Sequence, residues 1–286
     1  MPSARDLQRQ INTVKNQSRV FSALQTVSSV KFRKAEARVK RARPYAENVE
    51  EMMRDVAGSA SGDLPLLVGR EVNRVAICTL TADRGLAGGF NAQVLRRTVS
   101  LRNEKDRNAL QIASGRKAVA FFRFRRVRLA EVFTGFTDNP TYEKAREIGS
   151  TLTNLFEDEE ADEVYLVYNR FESALNQTPV VKRLLPVAEE GDEEEDDGAS
   201  YMEYVPDAET VLKRLVPRYV ETMVWQALLE GAAGEHGARM TAMKNATDNA
   251  NDLVRDLTLQ MNKARQAQIT QEILEIVGGA EALSAG

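Results

Sequence analysis

The sequence predicts an α/β domain bracketed by long helices, the two terminal helices pairing as an antiparallel left-handed coiled coil. Three observations predict it. An apolar heptad runs through the first part of the chain, and a second seam occupies the last part. Strand and helix patterns alternate only between them. Two seams of one kind bury each other most economically by packing together, and an apolar repeat of about 3.5 residues coils left-handed.

The first helix is expected from about Ser3 to Val56. Alternate steps of four and three from Leu7 reach Ile11, Val14, Ser18, Phe21, Gln25, Ser28, Phe32, Ala35, Val39, Ala42, Ala46, Val49, Met53 and Val56. The small and polar breaks at Ser18, Gln25 and Ser28 allow close approach or a local change of register. Pro44 removes one backbone donor and should bend the helix without ending it. Gly58, Gly62 and Pro65 supply the stop, so the first segment is residues 1–58.

The middle, residues 72–206, changes period. Strands are expected at Arg74–Leu80, Ala109–Ala113, Val127–Phe133, Glu163–Tyr168 and Thr178–Pro186, with helices at Ala92–Asn103, Arg116–Phe122 and Tyr142–Phe156. This alternation argues for a parallel, Rossmann-like α/β sheet. The acidic loop 189–197 (EEGDEEEDD) reads as solvated and without chemistry.

From Asp207 to residue 286 the helical period returns through Val211, Leu215, Tyr219 and Met223, then through Met243, Ala246, Ala250, Leu253 and Leu257. Gly231, Gly234 and Gly237 weaken this helix, and no stop precedes Gly278–Gly279. It outruns the first helix by roughly 20 residues, about 30 Å at helical rise. Its end carries apolar residues on more than one face, at Ile269, Ile273, Leu274, Ile276, Val277 and Leu283. Such a surface calls for an enclosing partner.

The 286 residues carry 39 Lys and Arg against 42 Asp and Glu, a net charge of -3 that excludes a globally basic nucleic-acid binder. No apolar run is long enough to span a membrane, and the N-terminus lacks the apolar core of a secretory signal. The single cysteine, Cys78, lies in the apolar run VAICTL and reads as a buried structural thiol. The single histidine, His236, makes a multi-histidine metal site impossible within one chain and reads as a helix-surface residue.

The loop Ala82–Asn91 (ADRGLAGGFN) follows the first strand, where doubly wound folds place phosphates. It lacks both the dinucleotide fingerprint and the Lys-Ser/Thr pair of a P-loop, so its glycines read as a tight turn needing positive φ. The alternative function is a nucleotide-binding enzyme built on that loop. The basic run Lys31–Arg43 keeps its apolar seam, so its charges read as outward faces for an acidic partner, with nucleic acid as the rival. Asp248 and Asp252 share a helical face and read as solvated. No catalytic constellation, cofactor site or metal site stands out.

The segments ARMTAMKNATDNA (238–250) and NKARQAQITQEILEIVGGA (262–280) resemble the signature of the ATP synthase gamma subunit, the central rotor stalk. INTVKNQSRV, KFRKAEARVKRARPYAE and ADRGLAGGFN agree in the same order along the whole chain. The resemblance implies a non-catalytic rotor turning inside a ring of alpha and beta head subunits. Its foot would stand near an epsilon subunit on the membrane c-ring, peripheral to the cytoplasmic side of a bacterial inner membrane. It implies that Arg265, Gln266, Thr270 and Glu272 meet catch loops of the head. Arg239 and the basic residues Lys31, Arg33, Lys34 and Arg38 would face acidic levers. Tyr204, Pro206 and Asp207 would form the foot, and the apolar tip from Ile269 to Leu283 would turn in a sleeve. The chain departs from the family pattern at Val20–Leu24 (VFSAL), at Ala87 in the glycine loop and at the three helix glycines.

Overall fold

The structure, a computed structural model, describes residues 3–59, 69–105, 108–187 and 208–284. Along the chain lie α1 (Ala4–Ser59), β1 (Val75–Leu80), α2 (Phe90–Glu104), β2 (Leu110–Ser114), α3 (Arg116–Phe124), β3 (Leu129–Phe133), α4 (Tyr142–Glu157), β4 (Glu163–Phe171), β5 (Gln177–Leu185) and α5 (Ala208–Ser284). Each expected element is present, with bounds shifted by three residues at most. Two boundary signals are overridden: α1 runs through Gly58, and α5 continues through Gly278–Gly279. Pro44 lies inside α1, which continues beyond it. The acidic loop 189–197 lies outside the described residues.

The chain divides into two compact units, Met1–Val27 with Ala242–Gly286, and Ser28–Thr241. The first is a helix pair. Leu7 and Ile11 of α1 pack with Leu257 of α5, flanked by Val14, Val254, Met261 and Ala264. Further along α1, Ser18 Oγ donates to Asn251 Oδ1 at 3.0 Å. Rising numbers in α1 meet falling numbers in α5, so the pair is antiparallel. Ser18 is therefore a polar rung of the seam. Leu253 is not in that seam: it is 47% exposed, and Val254 is turned inward instead. The buried and half-buried line runs Met243, Ala246, Ala250, Val254, Leu257, Met261 and Ala264, so the reading through Leu253 missed the seam by one residue at that step.

The second unit holds the five-stranded sheet, ordered β3-β2-β1-β4-β5. β1 to β4 are mutually parallel, whereas β5 pairs antiparallel with β4. The sheet is thus mixed, not wholly parallel. The connection between β4 and β5 is a short turn, which can only return the chain antiparallel because a parallel crossover needs a dozen or so residues. β1 is buried along its whole length, as a central strand covered on both faces must be. Cys78 is fully buried in it, and burial pushes its thiol up to about 12.

The main core lies on one sheet face, between β1, β2, β4 and β5 and the helices α4, α1 and α5. α2 and α3 cover the other face. In this unit α5 is almost continuously buried from Val216 to Arg239. A helix buried all round is a core element. Its glycines then have a reason. A Cβ on Gly234 would come within 2.9 Å of Phe90 Cε2, and one on Gly237 within 3.1 Å of Ala174 Cα, whereas one on Gly231 would meet nothing within 4 Å.

Candidate partner interface

In the helix-pair unit, α5 loses its last half-buried residue at Ala264, and residues 265–280 are all exposed. Arg265, Gln266, Thr270 and Glu272 stand on this bare stretch. Gln268 Nε2 donates to Glu272 Oε1 at 2.9 Å, and Gln271 Nε2 to Glu275 Oε1 at 3.0 Å, one helical turn apart in each case. The apolar residues are equally bare: Ile269, Ile273, Leu274, Ile276 and Val277 range from 45% to 72% exposed. The side chain of Leu283, and all of Tyr204, Pro206 and Asp207, lie outside the described residues.

In the sheet unit the expected contacts are redistributed. Arg239 is not an outward-facing residue. It is 8% exposed, its Nη2 donates to Glu235 Oε1 at 2.5 Å, and its Nε donates to the Gly85 carbonyl at 3.1 Å. It ties α5 to the glycine loop. The basic run is likewise not all outward. Lys31 pairs with Asp138. Arg38 donates to Asn139 Oδ1 at 2.6 Å and to the Pro140 carbonyl at 2.7 Å, and lies 5.5 Å from the Trp225 ring centre. Arg43 donates to the Phe171 carbonyl at 3.0 Å and to Glu230 at 3.3 Å. Arg33, Lys34, Lys40 and Arg41 remain exposed. The helical period puts some charges of a basic run on the buried side, where the domain supplies acceptors.

His236 is also misplaced by the sequence reading, since it is only 2% exposed. Its Nε2 lies 3.2 Å from the Asp138 carbonyl, and its Nδ1 lies 3.5 Å from Arg239 Nη1. The arginine can only donate, so Nδ1 accepts and the neutral ring carries its proton on Nε2. Burial holds the imidazole below its ordinary range, against the pull of Asp138. Burial also raises the Glu235 carboxyl, which Arg239 opposes. For Asp138 burial acts upward, but the bond from Lys31 and the nearby cations hold it below the usual carboxylate range.

The crevice beyond the parallel strand ends, where a nucleotide phosphate would sit, is already filled. Asp83 places its carboxylate there and accepts backbone N–H bonds from Gly135 at 2.8 Å, Thr137 at 3.1 Å and Arg116 at 3.1 Å, with the Thr137 hydroxyl at 3.1 Å. Burial alone would raise this acid, yet those bonds keep it low. α5 then closes over the crevice with Leu228, Gly231, Ala232 and Glu235, leaving about 20 Å³. That space suits at most a water molecule. In the loop itself Gly88 takes positive φ as expected, but so does Leu86, while Gly89 does not. Asp83 and Asp138 had no signal in residue spacing, because the groups they touch lie far away in sequence, whereas Glu235 and His236 stand one helical turn from Arg239 and only the packed domain shows that they are buried.

A family model described as ATP synthase matches residues 3–283. The chain is 68% identical to the ATP synthase gamma chain of Rubrobacter xylanophilus over the full length of both. It is 46% identical to that of Pelotomaculum thermopropionicum, over 99% of this chain and all of the relative. Among solved structures it resembles a chain of the Euglena gracilis mitochondrial ATP synthase OSCP/F1/c-ring complex, with a TM-score of 0.72 and 20% identity, covering 99% and 95% of the two chains. A chain of the Tetrahymena thermophila central stalk and c-ring structure matches with a TM-score of 0.60 and 21% identity, covering 79% and 99%. The chain therefore belongs to the ATP synthase gamma chain family, whose members form the central stalk and not the catalytic sites.

Proposed function

We propose that this chain couples proton flow through a membrane c-ring to ATP synthesis in the catalytic head by turning as an asymmetric axle. The observation that carries the reading is the stretch 265–280 of α5, a helix continuing past its last partnered turn with exposed apolar residues. A helix of this kind needs a surrounding sleeve. Apolar contacts are non-directional and let the tip slide. Arg265, Gln266, Thr270 and Glu272 add oriented polar contacts to catch loops of the alpha and beta subunits at chosen angles. Arg33 and Lys34, the exposed members of the lever set, meet acidic levers of the head. Lys31, Arg38 and Arg239 hold the frame rigid behind them. Tyr204, Pro206 and Asp207, directly before the start of α5, form the foot beside the epsilon subunit and the c-ring. Each head subunit then meets a different face as the axle turns, and differential contact shifts its conformational populations and nucleotide affinity.

This places the chain at the cytoplasmic side of a bacterial inner membrane as a peripheral subunit. Among the described residues no helix is long and apolar enough to cross a membrane. The test is Arg265→Ala and Gln266→Ala in the reconstituted complex. Both variants should weaken ATP-driven rotation and proton pumping while the isolated chain keeps its helical content. Normal rotation and pumping in both would remove the catch-loop role.

A further inference from the structure

We propose that the exposed turn between α3 and β3 is a docking surface for anionic phospholipid headgroups. Arg123, Arg125, Arg126 and Arg128 are all exposed there, and none forms an ion pair among the described residues. In their midst Phe124 is 88% exposed. α3 uses Ala118, Val119 and Phe122 to cover the sheet, so the next turn of the helix leaves the Phe124 ring outside. The cluster is held in shape. Arg126 takes φ 57° and its N–H donates to the Arg123 carbonyl at 3.0 Å, while the Arg125 guanidinium lies 4.7 Å from the Phe121 ring centre. Four cations without an ion pair among the described residues, around one bare aromatic ring, suit a bilayer surface, with phosphates for the guanidinium groups and the acyl boundary for the phenyl ring.

The turn also lies at the appropriate end of its unit. It precedes β3, at the end of the sheet where the other parallel strands begin. α5 starts at that same end and climbs the sheet: Glu221 packs on Gly149, Trp225 on Tyr142, Glu230 accepts from the Phe171 N–H, and Arg239 reaches Gly85. The turn is therefore on the side proposed above to stand on the ring, and this orientation, though not the surface chemistry, rests on the rotor reading. Glu104, which ends α2 on the same face, is paired with Arg97 at 3.1 Å, and the carboxylates of residues 157–160 share that end but follow α4, on the other face. Three strand spacings, about 14 Å, separate β3 from β4. That exceeds the screening length of roughly 8 Å at physiological salt, so the arginines act on a surface independently of them.

The test is flotation of the full chain with vesicles of pure phosphatidylcholine and of an equal mixture with phosphatidylglycerol, at physiological salt. Binding should be about tenfold stronger to the anionic vesicles. It should fall to the neutral-vesicle level in Arg125→Glu/Arg126→Glu, and Phe124→Trp should show a blue-shifted emission on the anionic vesicles. No preference for phosphatidylglycerol, or undiminished binding by the folded charge-reversal variant, would overturn the proposal and leave an acidic protein or a nucleic acid as the partner of this patch. The rotor reading is judged separately, by rotation of the assembled complex carrying the Arg265 variant.

Discussion

The three glycines of α5 offer a matched experiment, because they share a helix and differ in what surrounds them. Alanine is the better helix former by about 1 kcal/mol in a helix interior. At Gly231 nothing lies within 4 Å of the added methyl, so that gain stands alone. Gly231→Ala should stabilise the chain by about 1 kcal/mol, which raises the midpoint by roughly 2–4 °C in a protein of this size. At Gly234 the methyl would sit 2.9 Å from Phe90 Cε2 and 3.2 Å from Gln177 Cγ. Phe90 is buried and has little room to withdraw, so overpacking of about 1–3 kcal/mol cancels or exceeds the propensity gain. At Gly237 the obstacles are the Ala174 backbone, at 3.1 and 3.2 Å, and the Phe32 ring at 3.3 Å. Backbone yields less than a side chain, and a net loss of about 1–2 kcal/mol is expected. The assay is urea unfolding of the full chain followed by fluorescence of Trp225, the only tryptophan, which meets Tyr142 edge-to-face with ring centres 5.9 Å apart within the same unit. If Gly234→Ala and Gly237→Ala stabilise as much as Gly231→Ala, the close approach of the domain to α5 is not what the glycines serve.

Two further outcomes follow from the buried charges. Arg239→Ala strands the Glu235 carboxyl in the interior and should cost about 3–5 kcal/mol, whereas the paired change Glu235→Leu/Arg239→Met should recover most of it. A loss below about 1 kcal/mol in the same urea assay would show that the pair does not lock the glycine loop. His236 gives a pH effect. Its folded value lies below the ordinary 6.5, so the unfolded chain takes up the proton first. Its contribution is therefore complete above about pH 6.5 and declines as the pH falls towards the folded value. The groups facing it are Asp138, Lys31 and Arg239, with Glu235 behind. Asp138 and Asp83 are lowered and lose their contributions only in more acid solution, whereas the raised Glu235 contributes below its ordinary 4.5 and loses that as the pH rises. The diagnostic quantity is thus the stability of the parent minus that of His236→Gln, which should fall steadily from about pH 7 to about pH 5. Parallel urea midpoints across that window would refute it.

The helix pair and the parallel strands were legible because their signals are periodic and local. Every seam position from Leu7 to Met53 in α1 is buried or half-buried. β1 and β4 are apolar runs, as central strands must be. Leu253 was misread because two apolar residues, Leu253 and Val254, stand side by side, and only the facing helix decides which one turns inward. The antiparallel direction of β5 had no signal, because alternation of strands and helices stops just before it.

The sequence by itself determined the plan of two long helices around an α/β domain, and the bare apolar end of α5. Periodicity and length suffice for both. Only the tertiary structure decided where the charges go. Lys31, Arg38 and Arg43 read as surface, yet they bind carboxylates and carbonyls far away in sequence, as Arg239 does through the Gly85 carbonyl, and His236 is buried beside Asp138 and Arg239. A charged residue shows its type in the sequence but not its partner. Burial becomes affordable only once folding brings an acceptor within about 3 Å.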